Sequence, residues 1–183
     1  MKITFRPIQE NDLVARVDWI NHSSVKNNMF FEYPVTIEKT KVWFNSLKNR
    51  ANRIDFVAVD QNDKLIGMTG LTNIHPVNKN AEFHIIISPA IQGRGFGKKI
   101  TRWIVNYGFI EKELNKIYLY TNLDNSAGYH MYKNLGFSVE GLLREQTYKN
   151  GLFVDRYFMG LLKTEWMQVD WKVSDINYFI NAE

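Results

Sequence analysis

One short stretch restricts this chain more than any other: Ser88-Pro-Ala-Ile-Gln-Gly-Arg-Gly-Phe-Gly-Lys-Lys99. The mainly apolar run from Phe83 to Ile87 stops at Pro89, and glycines follow at Gly93, Gly95 and Gly97. Beyond them Ile100, Trp103, Ile104 and Tyr107 recur at helical spacing. Strand, glycine turn and helix together aim several backbone N–H groups at one spot, and the helix N-terminus adds roughly half a positive charge there. Such a spot binds phosphate or pyrophosphate. Glycine suits it because a Cβ would hold the ligand off the backbone, and because tight turns often need positive φ.

Two familiar phosphate loops do not fit. A Walker A loop would need Gly where Gln92 stands and Ser or Thr where Lys99 stands. A dinucleotide fingerprint needs G-x-G-x-x-G, whereas the spacing here is Gly93-x-Gly95-x-Gly97 in mid-chain. The run Gln92-Gly93-Arg94-Gly95-Phe96-Gly97 does fit the pattern Q/R-x-x-G-x-G/A. In this it resembles the coenzyme A pyrophosphate loop of the GNAT N-acetyltransferases.

A second constellation strengthens the likeness. Asn125-Ser-Ala-Gly-Tyr-His-Met-Tyr132-Lys-Asn-Leu-Gly136-Phe137 resembles the GNAT pattern N-x-x-(A/S)-x-x-x-Y-x-x-x-G-F, in order after the glycine loop. One position departs, with Gly128 where Ala or Ser is usual. That leaves room for coenzyme A but weakens the helix by about 1 kcal/mol relative to Ala. The resemblance covers about Ile3 to Leu162. It implies a single domain over residues 1–166, with the tail 167–183 of unassigned role.

The order of elements supports a layered α/β or α+β domain. Strands are predicted at Ile3–Ile8, Ile54–Val59 and Leu65–Leu71, then Ala81–Ser88 and Lys116–Thr121 around a helix from Lys98 to about Lys112. A helix from Ser126 to Leu135 precedes a left-handed cap at Gly136, and Phe137–Tyr148 with Phe153–Leu162 flank a Lys149-Asn-Gly151 turn. Asp12 and Thr36 are candidate helix N-caps, with Val42, Trp43 and Leu47 forming the inner face of the helix after Thr36. Residues 73–80 read as a polar loop. Such an order argues for a mixed sheet. The resemblance implies the GNAT fold: about seven strands, a splayed V between the fourth and fifth, and helices on both faces.

Composition removes several classes. The chain has 183 residues and 45% hydrophobic content, enough for one domain with a substantial core. With no cysteine there is no disulfide framework, Cys nucleophile or Cys-ligated zinc. No run approaches the roughly 18 apolar residues of a membrane helix, no signal-peptide core opens the chain, and the four histidines show no metal spacing. A cytoplasmic, membrane-independent protein is expected. The net charge of +4 is spread along the chain, which suits an anionic ligand and shows no basic stripe for nucleic acid.

The resemblance also implies roles. Acetyl-CoA is the expected cofactor, its pyrophosphate held by the loop Gln92, Gly93, Arg94, Gly95, Phe96, Gly97 and Lys98. Ile86 and Ile87 would offer backbone groups to the pantetheine arm or the carbonyl, and Asn125 would bind the arm. Tyr132 would protonate the departing sulfur; a tyrosine, with unperturbed pKa near 10, keeps its proton at neutral pH. Glu82 is the candidate base or water-relay residue, against a solvated strand-end charge. His84 shares its face with Glu82 and Ile86 and is a structural histidine or a proton relay.

For the acceptor, Trp19-Ile20-Asn21-His22, Val25-x₃-Met29, Glu38-x₄-Trp43-Phe44, Glu140-Gly141-x₂-Arg144 and Tyr148-x-Asn-Gly151-x₃-Asp155 resemble the RimJ/RimL-like branch. Within it the favoured likeness is to nucleotide-aminosugar acetyltransferases of PseH type. Polyamine acetyltransferases of SpeG type share much of the pattern, and a peptide N-terminus is a further acceptor. A polyamine pocket should be rich in carboxylates. The segment from His22 to Pro34 offers Glu32 alone, beside Met29, Phe30, Phe31 and Tyr33. These five and His84 are the candidate acceptor residues. A small-molecule amine is thus the expected partner; the aromatic tail could cover a second copy in a homodimer or the chain's own sheet. A coenzyme A-binding module without catalysis is the alternative from another class.

Overall fold

The structure is a computed structural model that describes residues 2–29, 31–149 and 151–171. Most of the tail, residues 172–183, lies outside them, as do Phe30 and Asn150.

Seven strands form one sheet: β1 (Thr4–Pro7), β2 (Ile54–Val59), β3 (Leu65–His75), β4 (Asn80–Ile87), β5 (Lys116–Asn122), β6 (Ser138–Lys149) and β7 (Leu152–Leu162). Their order is β1-β2-β3-β4-β5-β7-β6. Every pairing is antiparallel except β4 with β5. That parallel pair joins only Asn80 to Lys116, Ala81 to Ile117 and Glu82 to Tyr118. Beyond Glu82 the two strands run on unpaired with each other, which is the expected V between the fourth and fifth strands.

Strand alternation buries both faces of the sheet. On β2, Phe56 and Ala58 join one apolar cluster while Val57 and Val59 join another. The first cluster is filled by helix α4 (Phe96–Ile110) and by Tyr132 and Leu135 around helix α5 (Ser126–Asn134). Its centre is Trp103, 1% exposed, stacked on Phe5 at 3.9 Å and edge-on to Phe56 at 4.9 Å. The second cluster is built by Ile20 of helix α1 (Leu13–Asn21), Val25 of helix α2 (Ser23–Lys26), Met68 and Ile86. Helix α3 (Ile37–Leu47) lies outside α1. A last short helix, α6 (Lys163–Trp166), brings the Trp166 indole N–H to Asn106 Oδ1 at 2.7 Å.

Several local expectations are corrected. Asp12 does not cap α1 with its side chain. The chain enters through a 3₁₀ turn, Glu10–Asp12, and the carboxylate turns back to accept from Arg6 at 2.7 and 2.9 Å and from the Gln9 N–H at 2.8 Å. Thr36 does cap α3, accepting from the Lys39 N–H at 3.3 Å. Val42, expected on the inner face of that helix, is 72% exposed, and the buried position is Thr40. Residues 40 and 43, three apart, share a face of the α-helix, and Thr40 returns its hydroxyl to Thr36 O at 2.8 Å, so a polar residue can face inward. The loop 73–80 shrinks to a four-residue turn, 76–79, between His75 of β3 and Asn80 of β4, which pair across it. Helix α4 begins at Phe96, two residues earlier than expected.

Because Trp103 touches three aromatic neighbours, Trp103→Ala should cost about 3–5 kcal/mol of folding stability. Denaturant unfolding followed by circular dichroism would check it.

Candidate active site

Strand β4 carries the chain up one arm of the V and delivers it to the glycine turn. Pro89 opens a 3₁₀ turn, Pro89–Ile91, and the backbone then adopts φ +75° at Gly93 and +79° at Gly95. Gly95 is the N-cap of α4, and no side chain caps that helix end. A Cβ built at Gly93 or Gly95 would meet nothing within 4 Å. These glycines therefore serve the left-handed backbone, which a side chain would strain by roughly 1–2 kcal/mol, and leave the helix N–H groups open to a ligand. Gln92 steadies the turn by donating to Ile87 O at 3.3 Å.

A cavity of about 400 Å³ runs from this turn along the V. Ile86, Ile87, Gln92, Gly93, Gly95, Phe96, Gly97, Lys98, Asn125 and Tyr132 all line it. Arg94 does not; its exposed side chain stands outside the wall. Asn125 is the N-cap of α5 and accepts from the Gly128 N–H at 3.1 Å, so its amide hydrogens are what it offers the cavity. Gly128 also lines this cavity. A Cβ there would come within 2.6 Å of Asn125 Nδ2, so the space beside Gly128 belongs to the capping amide.

Tyr132 sits at the junction of core and cavity. Its ring is edge-on to Phe83 and Phe137, each 6.0 Å away. Burial pushes its phenol above the usual tyrosine value, so the proton stays on oxygen.

A second cavity, of about 420 Å³, opens on the other side of β4 and shares Met29 and Ile86 with the first. Glu82, His84 and Ile86 project into it from alternate positions of β4. Glu82 accepts from Asn73 Nδ2 at 2.9 Å. Its charge is felt nearby: Tyr118 and Tyr120 are raised first by burial and then by Glu82. His84 Nε2 lies 3.1 Å from Asp55 Oδ1, and Arg53 grips the same carboxylate at 2.6 and 2.8 Å. Burial acts to raise the Asp55 carboxyl, but hydrogen bonds from Arg53 and His84 outweigh it and hold the group well below the usual range. An ionised Asp55 assigns the His84 ring hydrogen to Nε2. Nδ1 is buried and has no hydrogen-bond partner among the described residues.

The expected acceptor residues divide. Met29, Phe31, Glu32 and His84 line this second cavity. Glu32 pairs with Lys39 at 2.9 Å and is 85% exposed, so it stands at the rim. Tyr33 lines a neighbouring cavity instead, with Lys26 4.9 Å over its ring. Phe30 lies outside the described residues. The same walls hold Arg16, Thr40, Trp43 and Arg53, which sequence reasoning did not place there. A signal for Arg16 existed: Leu13, Arg16 and Ile20 share one helical stripe, so a charged residue interrupts the buried face.

A glycine turn on a helix N-terminus thus opens onto a cleft where parallel strands part, with a protonated phenol in its wall. The chain belongs to the GNAT family, whose acetyltransferase (GNAT) domain model matches residues 2–138. The spermidine N(1)-acetyltransferase of Vibrio cholerae is 30% identical over 167 residues, covering 91% of this chain and 96% of that one. The Escherichia coli K12 spermidine N(1)-acetyltransferase is 32% identical over 168 residues, covering 90% and 88%. A crystal structure of the Vibrio cholerae spermidine N-acetyltransferase in complex with CoA and spermine superimposes with a TM-score of 0.87 at 29% identity, covering 91% and 98%. The protein is an acetyl-CoA-dependent N-acetyltransferase. The expected fold and cofactor stand; the preference for the aminosugar branch finds less support than the polyamine alternative.

The lowered Asp55 pKa has a pH signature. Its ionised form stabilises the fold above the unfolded carboxyl value near 4, and that contribution is lost as pH falls toward the folded value. Asp55→Asn should cost about 3 kcal/mol at neutral pH, and the deficit should shrink below about pH 4. Urea unfolding at both ends of that range measures it.

Proposed function

We propose that this chain acetylates a primary amine of a polyamine such as spermidine or spermine. The carrying observation is the 30–32% identity with two spermidine N(1)-acetyltransferases along nine-tenths of this chain. Glu82 in the wall and Glu32 at the rim of the acceptor cavity supply carboxylates for separate ammonium groups. Met29, Phe31 and Trp43 offer apolar surface to the methylene segments between them.

The residues fit acetyl-CoA. It supplies the acetyl group as a thioester. The open N–H groups from Gly93 to Lys98, at the positive end of α4, hold its pyrophosphate. The unpaired edge of β4 at Ile86 and Ile87, with the Asn125 amide, holds the arm. Glu82 accepts the proton the amine must lose before it can attack. Tyr132 keeps its own proton for the departing sulfur. The Asp55–His84 pair fixes the ring beside Glu82 and orients the acceptor wall. The acetyltransferase unit spans residues 1–166.

A nucleotide-linked aminosugar is the second reading. It is favoured by the three cationic side chains on the same cavity, Arg16, Lys39 and Arg53.

Turnover with acetyl-CoA should be measured across spermidine, spermine, UDP-aminosugars and N-terminal peptides. Acetylation of the polyamines is expected; transfer to the sugar nucleotide alone would replace the first reading by the second. Tyr132→Phe should lower kcat roughly a hundredfold while calorimetry shows acetyl-CoA affinity retained. Undiminished turnover would remove Tyr132 from the chemistry.

A further inference from the structure

We propose that Arg16 forms an anion-binding subsite in the wall of the acceptor cavity, shaped for a phosphate or carboxylate group. This rests on the acetyltransferase reading but not on the choice of acceptor.

Arg16 is 8% exposed, yet its side chain lines the cavity. Among the described residues no carboxylate or carbonyl accepts a hydrogen bond from it. Its neighbours are ring faces: Trp43 at 4.1 Å and Phe31 at 5.5 Å. Arg53 also lies over Trp43, at 5.1 Å, so one indole carries two guanidinium groups. The carboxylate that attracts Arg16 is Asp55, which is already held by two hydrogen bonds from Arg53 and one from His84. Asp55 is therefore taken up by Arg53 and His84, and the Arg16 fork is left without a hydrogen-bonded acceptor among the described residues. The other carboxylates on the cavity, Glu32 beside Lys39 and Glu82 beside Asn73, take no hydrogen bond from Arg16.

A guanidinium carries five donors in a rigid fork that matches carboxylate and phosphate oxygens two at a time. Holding one largely out of water without an acceptor is unfavourable. Burial accordingly brings Arg16 down to about 10 from its usual value, although it stays charged at neutral pH. The aromatic faces fix the plane of the fork and leave its donor edge for the cavity.

The anion has two sources. If the acceptor is a polyamine, a free phosphate or carboxylate cancels the cation and makes the pocket hospitable to ammonium groups. If the acceptor is a sugar nucleotide, the anion is its own phosphate.

The test uses the whole chain saturated with coenzyme A, so that the glycine turn cannot take the probe. Inorganic phosphate is titrated by calorimetry into the parent protein, Arg16→Met and Arg16→Lys, with thermal unfolding confirming that each is folded. The parent should bind phosphate, and Arg16→Met should weaken binding by about tenfold or more. Arg16→Lys, with a charge but no fork, should fall between, and it carries the test should Arg16→Met not fold. Phosphate that lowers the KM for spermidine identifies a free anion. Phosphate that competes with a UDP-aminosugar identifies the acceptor's own group. No phosphate binding to the parent, or equal binding by the variants, overturns the subsite. Arg16-dependent phosphate binding without turnover on any polyamine or sugar would leave the subsite standing and defeat the acceptor readings.

Discussion

The parting of β4 and β5 is the constraint on which the rest of the structure depends. Each strand is paired along its outer side, β4 with β3, save at a bulge around Ala81, and β5 with β7. Between themselves they share only three residue pairs at the base. Two twisted half-sheets therefore meet at a root and diverge above it. Backbone N–H and C=O groups along the inner edges have no strand to pair with, and such groups need partners. An extended, amide-bearing ligand arm can serve where a strand is missing, just as peptides add to sheet edges elsewhere. The glycine turn lies at the top of one arm of the V because β4 ends there, and α4 must begin at that point to cover the sheet.

The same strand separates the two chemical environments. Odd positions of β4 point Phe83 into the core around Trp103, while even positions present Glu82, His84 and Ile86 to the acceptor cavity. Around that cavity the electrostatics turn on Asp55. It is buried, ionised and shared by Arg53 and His84. With Arg16, Arg53 and Lys39 sharing the walls with Glu32 and Glu82, the pocket is of mixed charge rather than a simple acidic trough for polycations.

How far the sequence discloses this depends on what kind of signal a residue leaves. Gly93 and Gly95 were legible because a left-handed turn of that type disfavours other residues, and the helix after them repeats with a clear period. The alternation on β4 placed Glu82, His84 and Ile86 together for the same reason. Arg16, Arg53 and Asp55 were not legible as a group: they come from α1 and the start of β2, and only tertiary packing brings them to one cavity. Val42 misled because an apolar residue at helical spacing is indistinguishable from a core residue until the neighbouring element is known. Asp12 misled because Arg6, six residues earlier, competes for its carboxylate more strongly than the helix end does. Gly128 read as space for a ligand and does line the cavity, with the Asn125 cap filling the volume that a Cβ would take. The preference among acceptors lay beyond motif reading, since polyamine and sugar enzymes of this fold share the same framework.

Tyr132 is clamped between Phe83 and Phe137, within the cluster that also contains Trp103. The phenol proposed as the proton donor thus hangs from the scaffold itself rather than from a loop that can loosen early. On gentle warming, the capacity to turn over should persist until the whole domain melts, with no inactive but still folded form preceding it.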